Sequence, residues 1–213
     1  MWLRFRFNTG QAMGMNMVTI AVDRAVKLIV TKLKVRCVAL SGNMCVDKKP
    51  SWLNVIEGKG KRVWAEVVLA EKTIKKVLKT TAAEMVEVNY RKNLLGSVVA
   101  GSMGGNAHVA NVIAAMFIAC GQDAAHVAEV TGITTMELVG KDVYASVYLP
   151  ELPIGTVGGG TKLPDQKQYL GWLGGDVKTV AGVMGAAVLA GEISLIAALA
   201  EGSLAQAHAR LGR

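Results

Sequence analysis

Between Val180 and Ala200 the chain carries a single charge, Glu192, and no proline. A run this long and this apolar folds as a helix that must then be covered, either by lipid or by the rest of the protein. Glu192 would be costly in a bilayer, and Gly182, Gly185 and Gly191 suit tight packing of the helix against its neighbours. The expectation is therefore a buried helix over Val177–Ala200 and no membrane span. A chain of 213 residues, 52% hydrophobic and 19% charged, can enclose such a helix in one large domain, or a domain with a small appendage. Aromatic residues make up only 5%, while Ala, Val, Gly and Met are abundant. That mix suits closely packed helices and argues against an all-β sandwich.

Cys37, Cys45 and Cys120 are odd in number and lack metal-ligand spacing, so neither a disulfide framework nor a metal site is expected. Free thiols in a reducing cytoplasm are the simpler reading. Met1 is followed by an Arg/Phe alternation and not by the apolar run of a signal peptide. Net charge is +8, with basic clusters at Lys32–Arg36, Lys59–Arg62 and Lys72–Lys79. Such clusters are usually solvated faces. They also attract polyanions, but aromatics do not interleave with them and no nucleic-acid motif accompanies them. Small phosphorylated ligands are the expected partners, and no nucleic acid.

Leu3, Phe5 and Phe7 alternate with Trp2, Arg4 and Arg6, the pattern of a strand with one buried face. Asn8-Thr9-Gly10 reads as a turn before a helix. Further strands are expected over Lys34–Leu40, Val63–Leu69 and Val143–Leu149, and helices over Glu71–Val88 and in the second half of Gly101–Cys120. Helical sequence also runs through Leu170, and a short terminal helix carries His208. Without a strict βαβ rhythm the expected class is α+β.

Several short strings invite a chemical reading, each beside a plainer one. Gln11–Met17 opens a helix and could bring backbone N–H groups to a phosphate, although Met-rich helix starts are more often core packing. Gly155–Thr161 can approach a ligand backbone-first or simply form a turn, and its spacing is not the dinucleotide fingerprint. Ser41–Pro50 places Ser, Asn, Asp and two lysines in one loop. Asp47 and the stiff Pro50 favour a defined loop, in which Lys48 could stabilise an oxyanion and donate a proton. Asp123 could be a simple cap, and His108, His126 and His208 could be ordinary histidines.

The strings Ala12–Met17, Ser41–Pro50, Ile56–Lys61, Asn106–Asn111, Gly121–Ala125, Gly155–Thr161 and Gly191–Leu195 stand in the order seen in class I 3-hydroxy-3-methylglutaryl-CoA (HMG-CoA) reductases, archaeal members especially. The match runs from Arg4 to Arg213, and on it the chain is identified as a member of that family. The resemblance implies a two-step, NADPH-dependent reduction of HMG-CoA to mevalonate and CoA in the isoprenoid pathway. It implies catalytic roles for Lys48 on the substrate carbonyl oxygen, Asp123 beside it, and His208 on the departing CoA thiolate. It implies cofactor contacts at Met13, Gly14, Met15, Asn16, Gly155, Val157, Gly158, Gly159 and Thr161. Ser41, Asn43, Asp47, Lys49, Lys92, Ser102, His108 and Asn111 would contact the substrate, with Lys92 on its CoA portion.

The implied organisation is a remnant of the small, ferredoxin-like NADP-binding domain at 1–37, a connecting loop at 38–50 and a helix-rich large domain at 51–213. The resemblance also implies a homodimer. Gln11 stands where the family's dinucleotide motif begins with Asp, and the Gly174-Gly175-Asp176 loop looks shorter than its counterpart. The family's remaining catalytic residue, a glutamate, is expected in a segment outside these residues. The alternative reading is a truncated, non-catalytic member that binds CoA or a partner chain without turnover.

Overall fold

The computed structural model describes residues 1–212. Its elements follow as α1 (Met15–Leu33), α2 (Trp52–Glu57), β1 (Lys61–Leu69), α3 (Glu71–Thr73), α4 (Ala82–Val88), α5 (Ser97–Val99), α6 (Val109–Ala119), β2 (Ile133–Val139), β3 (Asp142–Leu152), α7 (Pro164–Trp172), α8 (Val177–Glu201) and α9 (Leu204–Leu211). Wide π turns continue α3 through Ile74–Leu78 and join α4 to α5 through Asn89–Gly96, and a 3₁₀ turn runs over Ala124–Glu129.

The architecture is α+β, as expected. The three strands form an antiparallel sheet in the order β1-β3-β2. On the central strand Val143, Ala145, Val147 and Leu149 are fully buried while the residues between them are partly exposed, so one sheet face is core. The long helix α8 packs on β1 and β3 and also meets α6 and α4. Ile113 and Phe117 of α6 and Met85 of α4 complete the core.

By length and apolarity α8 would pass for a membrane span. In the fold its buried residues, Val177, Val180, Ala181, Met184, Gly185, Val188, Leu189, Glu192, Ile193, Ile196 and Ala197, recur at three- and four-residue steps. They make one stripe. The helix is thus buried along one face and not all round, and Gly182, Ala186 and Ala190 on the other face are exposed.

Two expected strands do not form. Residues 2–7 and 34–40 have no ladder partner among the described residues, and an extended segment becomes a strand only when a neighbour takes its backbone groups. Side chains anchor the first segment instead. Trp2 Nε1 donates to the Gly42 carbonyl at 3.2 Å, Arg4 pairs with Glu57 at 2.6 Å, and Arg6 pairs with the same carboxylate. The expected helix over Glu71–Val88 is interrupted at Lys79 (φ 57°) and restarts at a capping box formed by Thr81 and Glu84. Strand β2 carries no clear alternation, because a threonine, Thr134, fills one of its fully buried positions.

Candidate active site

The densest group of charged side chains forms where the loop 41–50, the turn between α2 and β1, and the 3₁₀ turn Ala124–Glu129 meet. Each arrives for a local reason. A 3₁₀ helix has three residues per turn, so side chains three apart stack in a column. Asp123, the N-cap of that turn, stands in line with His126 and Glu129. Lys59 is delivered by Gly58-Lys59-Gly60. Gly60 (φ 78°) lies so close to the end of β3 that a Cβ there would sit 2.2 Å from the Leu152 carbonyl oxygen. The loop 41–50 is tightly wound, with Asn43, Val46 and Lys48 at φ 60°, 45° and 60°. Asparagine tolerates left-handed backbone, but it is unfavourable for Lys48 and above all for the β-branched Val46, and persists there only where surroundings impose it. The Lys48 backbone N–H donates to Glu129, and the Cys45 carbonyl accepts from Asn54 Nδ2 at 3.4 Å.

The cluster has an inner and an outer layer. Within it, the Lys59 ammonium lies 2.9 Å from Asp47 Oδ1 and 2.7 Å from Glu129 Oε2. His126, itself buried, places Nε2 2.8 Å from the same Asp47 oxygen. Burial works against the charge on Asp47, but the hydrogen bonds from Lys59 and His126 outweigh it and hold the carboxyl at about 2. Outside lies the pair Lys48 Nζ–Asp123 Oδ2 at 2.9 Å, with side chains 43% and 39% exposed. The hydrogen bond and charge of Asp123 raise the Lys48 pKa. The same bond lowers that of Asp123, against some burial and with help from the Ala125 N–H and His126.

Behind Glu129 lies Glu151 of β3, fully buried, with neither oxygen hydrogen-bonded among the described residues. Burial, reinforced by the Glu129 charge, pushes its carboxyl up to about 7. Asp47, His126 and Glu129 each offer a ligand atom within 4.8 Å of the others. The cation that these carboxylates hold is the Lys59 ammonium.

Residues expected to contact the substrate fall into separate groups. Asp47 belongs to the cluster above, and Lys49 Nζ donates to the Asp47 carbonyl at 2.8 Å. Ser41 and Asn43 are exposed in the same loop. Ser102, His108 and Asn111 lie before and within the start of α6. There the buried Glu192 accepts from the backbone N–H groups of Ala107 (2.7 Å) and His108 (2.8 Å) and from Thr134 Oγ1 (2.7 Å), and lies 2.9 Å from His108 Nδ1. Lys92 is exposed, with Nζ 3.2 Å from Asn93 Oδ1. No hydrogen bond or ion pair joins Ser102, His108, Asn111 or Lys92 to the Lys48 cluster among the described residues. His208 is exposed on α9 and makes no side-chain hydrogen bond to Lys48 or Asp123.

The two segments expected at the cofactor do meet. Ala12 bridges to Val157, and the Thr156 N–H donates to the Gln11 carbonyl at 2.8 Å. Met13, Gly14, Met15 and Asn16 thereby come beside the start of the loop that holds Gly155, Val157, Gly158, Gly159 and Thr161. The Gln11 side chain donates to Asp176 at 2.8 Å and accepts from Val177 N–H at 2.8 Å and from Thr156 Oγ1 at 3.1 Å, pinning this junction to the start of α8.

Sequence reasoning passed over Lys59, His126, Glu129 and Glu151. For the middle pair a signal existed: Asp123, His126 and Glu129 recur at steps of three, the 3₁₀ period. Lys59 lay inside the quoted string Ile56–Lys61 with nothing to separate it from Lys61.

The profile of the family described as hydroxymethylglutaryl-coenzyme A reductase matches residues 1–213. The chain belongs to that family. It is 54% identical to the 3-hydroxy-3-methylglutaryl-coenzyme A reductase of Methanocaldococcus jannaschii, an alignment covering 99% of this chain and 54% of the relative. Identity is 52% to the Aeropyrum pernix reductase, covering 100% and 53%, and 46% to reductase 2 of Dictyostelium discoideum, covering 100% and 43%. The chain thus spans about half the length of the curated hydroxymethylglutaryl-coenzyme A reductases it matches.

Proposed function

We propose that this chain contributes the lysine–aspartate centre of an NADPH-dependent reductase converting HMG-CoA to mevalonate and CoA. The observation carrying this reading is the Lys48–Asp123 pair, open on its outer side and seated on a buried ion-pair layer. An ammonium held in this way can hydrogen-bond a carbonyl oxygen, stabilise the negative charge that grows there, and hand it a proton. Asp123 orients the ammonium and keeps it charged. Asp47, Lys49, Ser41 and Asn43 line the loop on which Lys48 is carried, which suits contacts to the acyl group. Ser102, His108 and Asn111 are assigned further contacts to it, and Lys92, with the basic surface of Lys72–Lys79, to the CoA phosphates. His208, on the exposed α9, is assigned the proton for the departing thiolate. No role is assigned to a metal.

A phosphate-bearing cofactor fits the junction of residues 13–16 with 155–161. Helix α1 has no side-chain cap at Gly14, so its first N–H groups are available to an anion. Gly158 and Gly159 have open space on their Cβ side. When bound, the nicotinamide supplies the hydride; the chain's own residues bind, orient and move protons.

We read residues 1–37 as part of a cofactor domain, 38–50 as its connection and 51–213 as the large domain. A homodimer is supported by the apolar residues Met17, Ile20, Leu28 and Leu33 exposed along α1. A reducing cytoplasm suits the three free cysteines.

The test follows NADPH absorbance with HMG-CoA on the purified chain beside Lys48→Ala. Turnover that falls by about 10²–10⁴ in the variant supports the assignment. Turnover indifferent to the variant overturns it. A folded chain that binds CoA without turnover is the non-catalytic family member.

A further inference from the structure

His126 is 1% exposed and lies between the inner and outer layers of the cluster. Its Nε2 faces Asp47 Oδ1 at 2.8 Å and Glu129 Oε1 at 3.6 Å, and its Nδ1 faces Asp123 Oδ2 at 3.6 Å. Each ring nitrogen is therefore turned toward carboxylate oxygen, and Nδ1 has no closer partner among the described residues. A neutral imidazole would turn a buried lone pair toward one of these anions, whereas the doubly protonated ring hydrogen-bonds Asp47 and faces Asp123 with its other N–H across 3.6 Å. The charged groups around it are Asp47 from the loop, Lys59 from the turn before β1, and Asp123 and Glu129 from its own 3₁₀ turn. Lys48 lies beyond Asp123, and Glu151 of β3 beyond Glu129.

We propose that His126 is a positioning residue for the Lys48–Asp123 pair, its imidazolium clamped between Asp47 on Nε2 and Asp123 on Nδ1. This rests on the reading of Lys48 and Asp123 as the reacting pair. The clamp fixes Asp123 from behind, so that its carboxylate stays ionised and holds the Lys48 ammonium toward the open side. It also ties the substrate loop, through Asp47, to the turn that carries Asp123. A charge held at both ends of a short column sets distance and orientation more narrowly than the single Lys48–Asp123 contact, since Lys48 alone has four rotatable bonds.

The test titrates the Asp123 carboxyl by carbon-13 NMR in the full chain and in His126→Gln, with circular dichroism confirming the fold. Glutamine can still donate to Asp47 but brings no charge. The expected result is an Asp123 midpoint displaced upward in the variant. An unchanged midpoint in a folded variant overturns the proposal. If the variant does not fold, nitrogen-15 NMR of the wild-type ring decides. Protons on both nitrogens while Asp123 is ionised support the clamp, and a bare Nδ1 overturns it. Neither readout needs turnover, so failure of the proposed activity is seen separately. Where turnover is measurable, His126→Gln is expected to lower kcat about tenfold or more with little change in KM for HMG-CoA.

Discussion

Glu151 and Asp47 shift in opposite senses because one is buried beside the Glu129 charge and the other is held by hydrogen bonds from Lys59 and His126. The Glu151 carboxyl, ordinarily at 4.5, is raised to about 7, so its folded value lies above its unfolded one. Below the unfolded value both states keep the proton and nothing is lost. As pH rises from 4.5 toward 7 the unfolded chain releases its proton first, and stability falls by about 3 kcal/mol in all. Glu151→Gln removes this titration. It is expected to match the wild type near about pH 4 and to exceed its stability by about 2–3 kcal/mol near about pH 8, as measured by urea unfolding. Equal pH slopes in the two proteins would remove the buried acid from consideration. Asp47 runs the other way: held at about 2, it contributes stability above its ordinary 3.8 that is lost as pH falls through about 2.

At the scale of elements, α8 shows how a helix can be one-sided without a polar side. Away from its two ends its exposed positions are Gly182, Val183, Ala186, Ala190 and Ser194 and not Lys or Glu, so the sequence shows length and apolarity but no face. Two glycines one turn apart separate the faces. A Cβ at Gly185 would lie 2.5 Å from Val63 Cγ1 on β1, while one at Gly182 would meet nothing within 4 Å. Gly185→Ala is therefore expected to destabilise by about 1–3 kcal/mol through overpacking against the sheet. Gly182→Ala should stabilise by roughly 0.5–1 kcal/mol through helix propensity. Thermal unfolding of the two variants would sort them, and like signs would mean that α8 packs by another face. The sheet teaches a similar lesson. β1 and β3 were legible because their inward positions are Val, Ala and Leu. β2 was not, because Thr134 turns inward to donate to Glu192 at 2.7 Å.

Over the whole molecule, cohesion is uneven. The sheet, α6 and α8 share one core, whereas α1 buries only Val22 and residues 34–40 are exposed throughout. What attaches residues 1–50 is chiefly polar: Gln11 to Asp176, Thr156 and Val177, and Arg4 and Arg6 to Glu57. Limited trypsin digestion should accordingly cut first between Lys27 and Lys49 and leave the body that follows resistant, since cleavage needs local opening. Mass spectrometry of the first fragments checks this. Initial cuts within β1, β3 or α8 would contradict it. A Gln11→Ala variant should be cut faster than the wild type.

Periodicity and composition by themselves determined the α+β class, the positions of α1, α6, α7 and α8, and strands β1 and β3. These properties are local: a side chain's polarity and its spacing from the next are written in order along the chain. The ordered motifs determined the family and singled out Lys48 and Asp123. Only the tertiary structure decided that residues 2–7 and 34–40 find no ladder, since a strand exists through its neighbour. Only it showed Lys59 and Glu129 as one buried ion pair under Lys48, and His126 as the ring between two aspartates. These contacts join residues separated by as many as 79 positions. Their chemistry depends on burial and distance, which no single stretch of sequence contains.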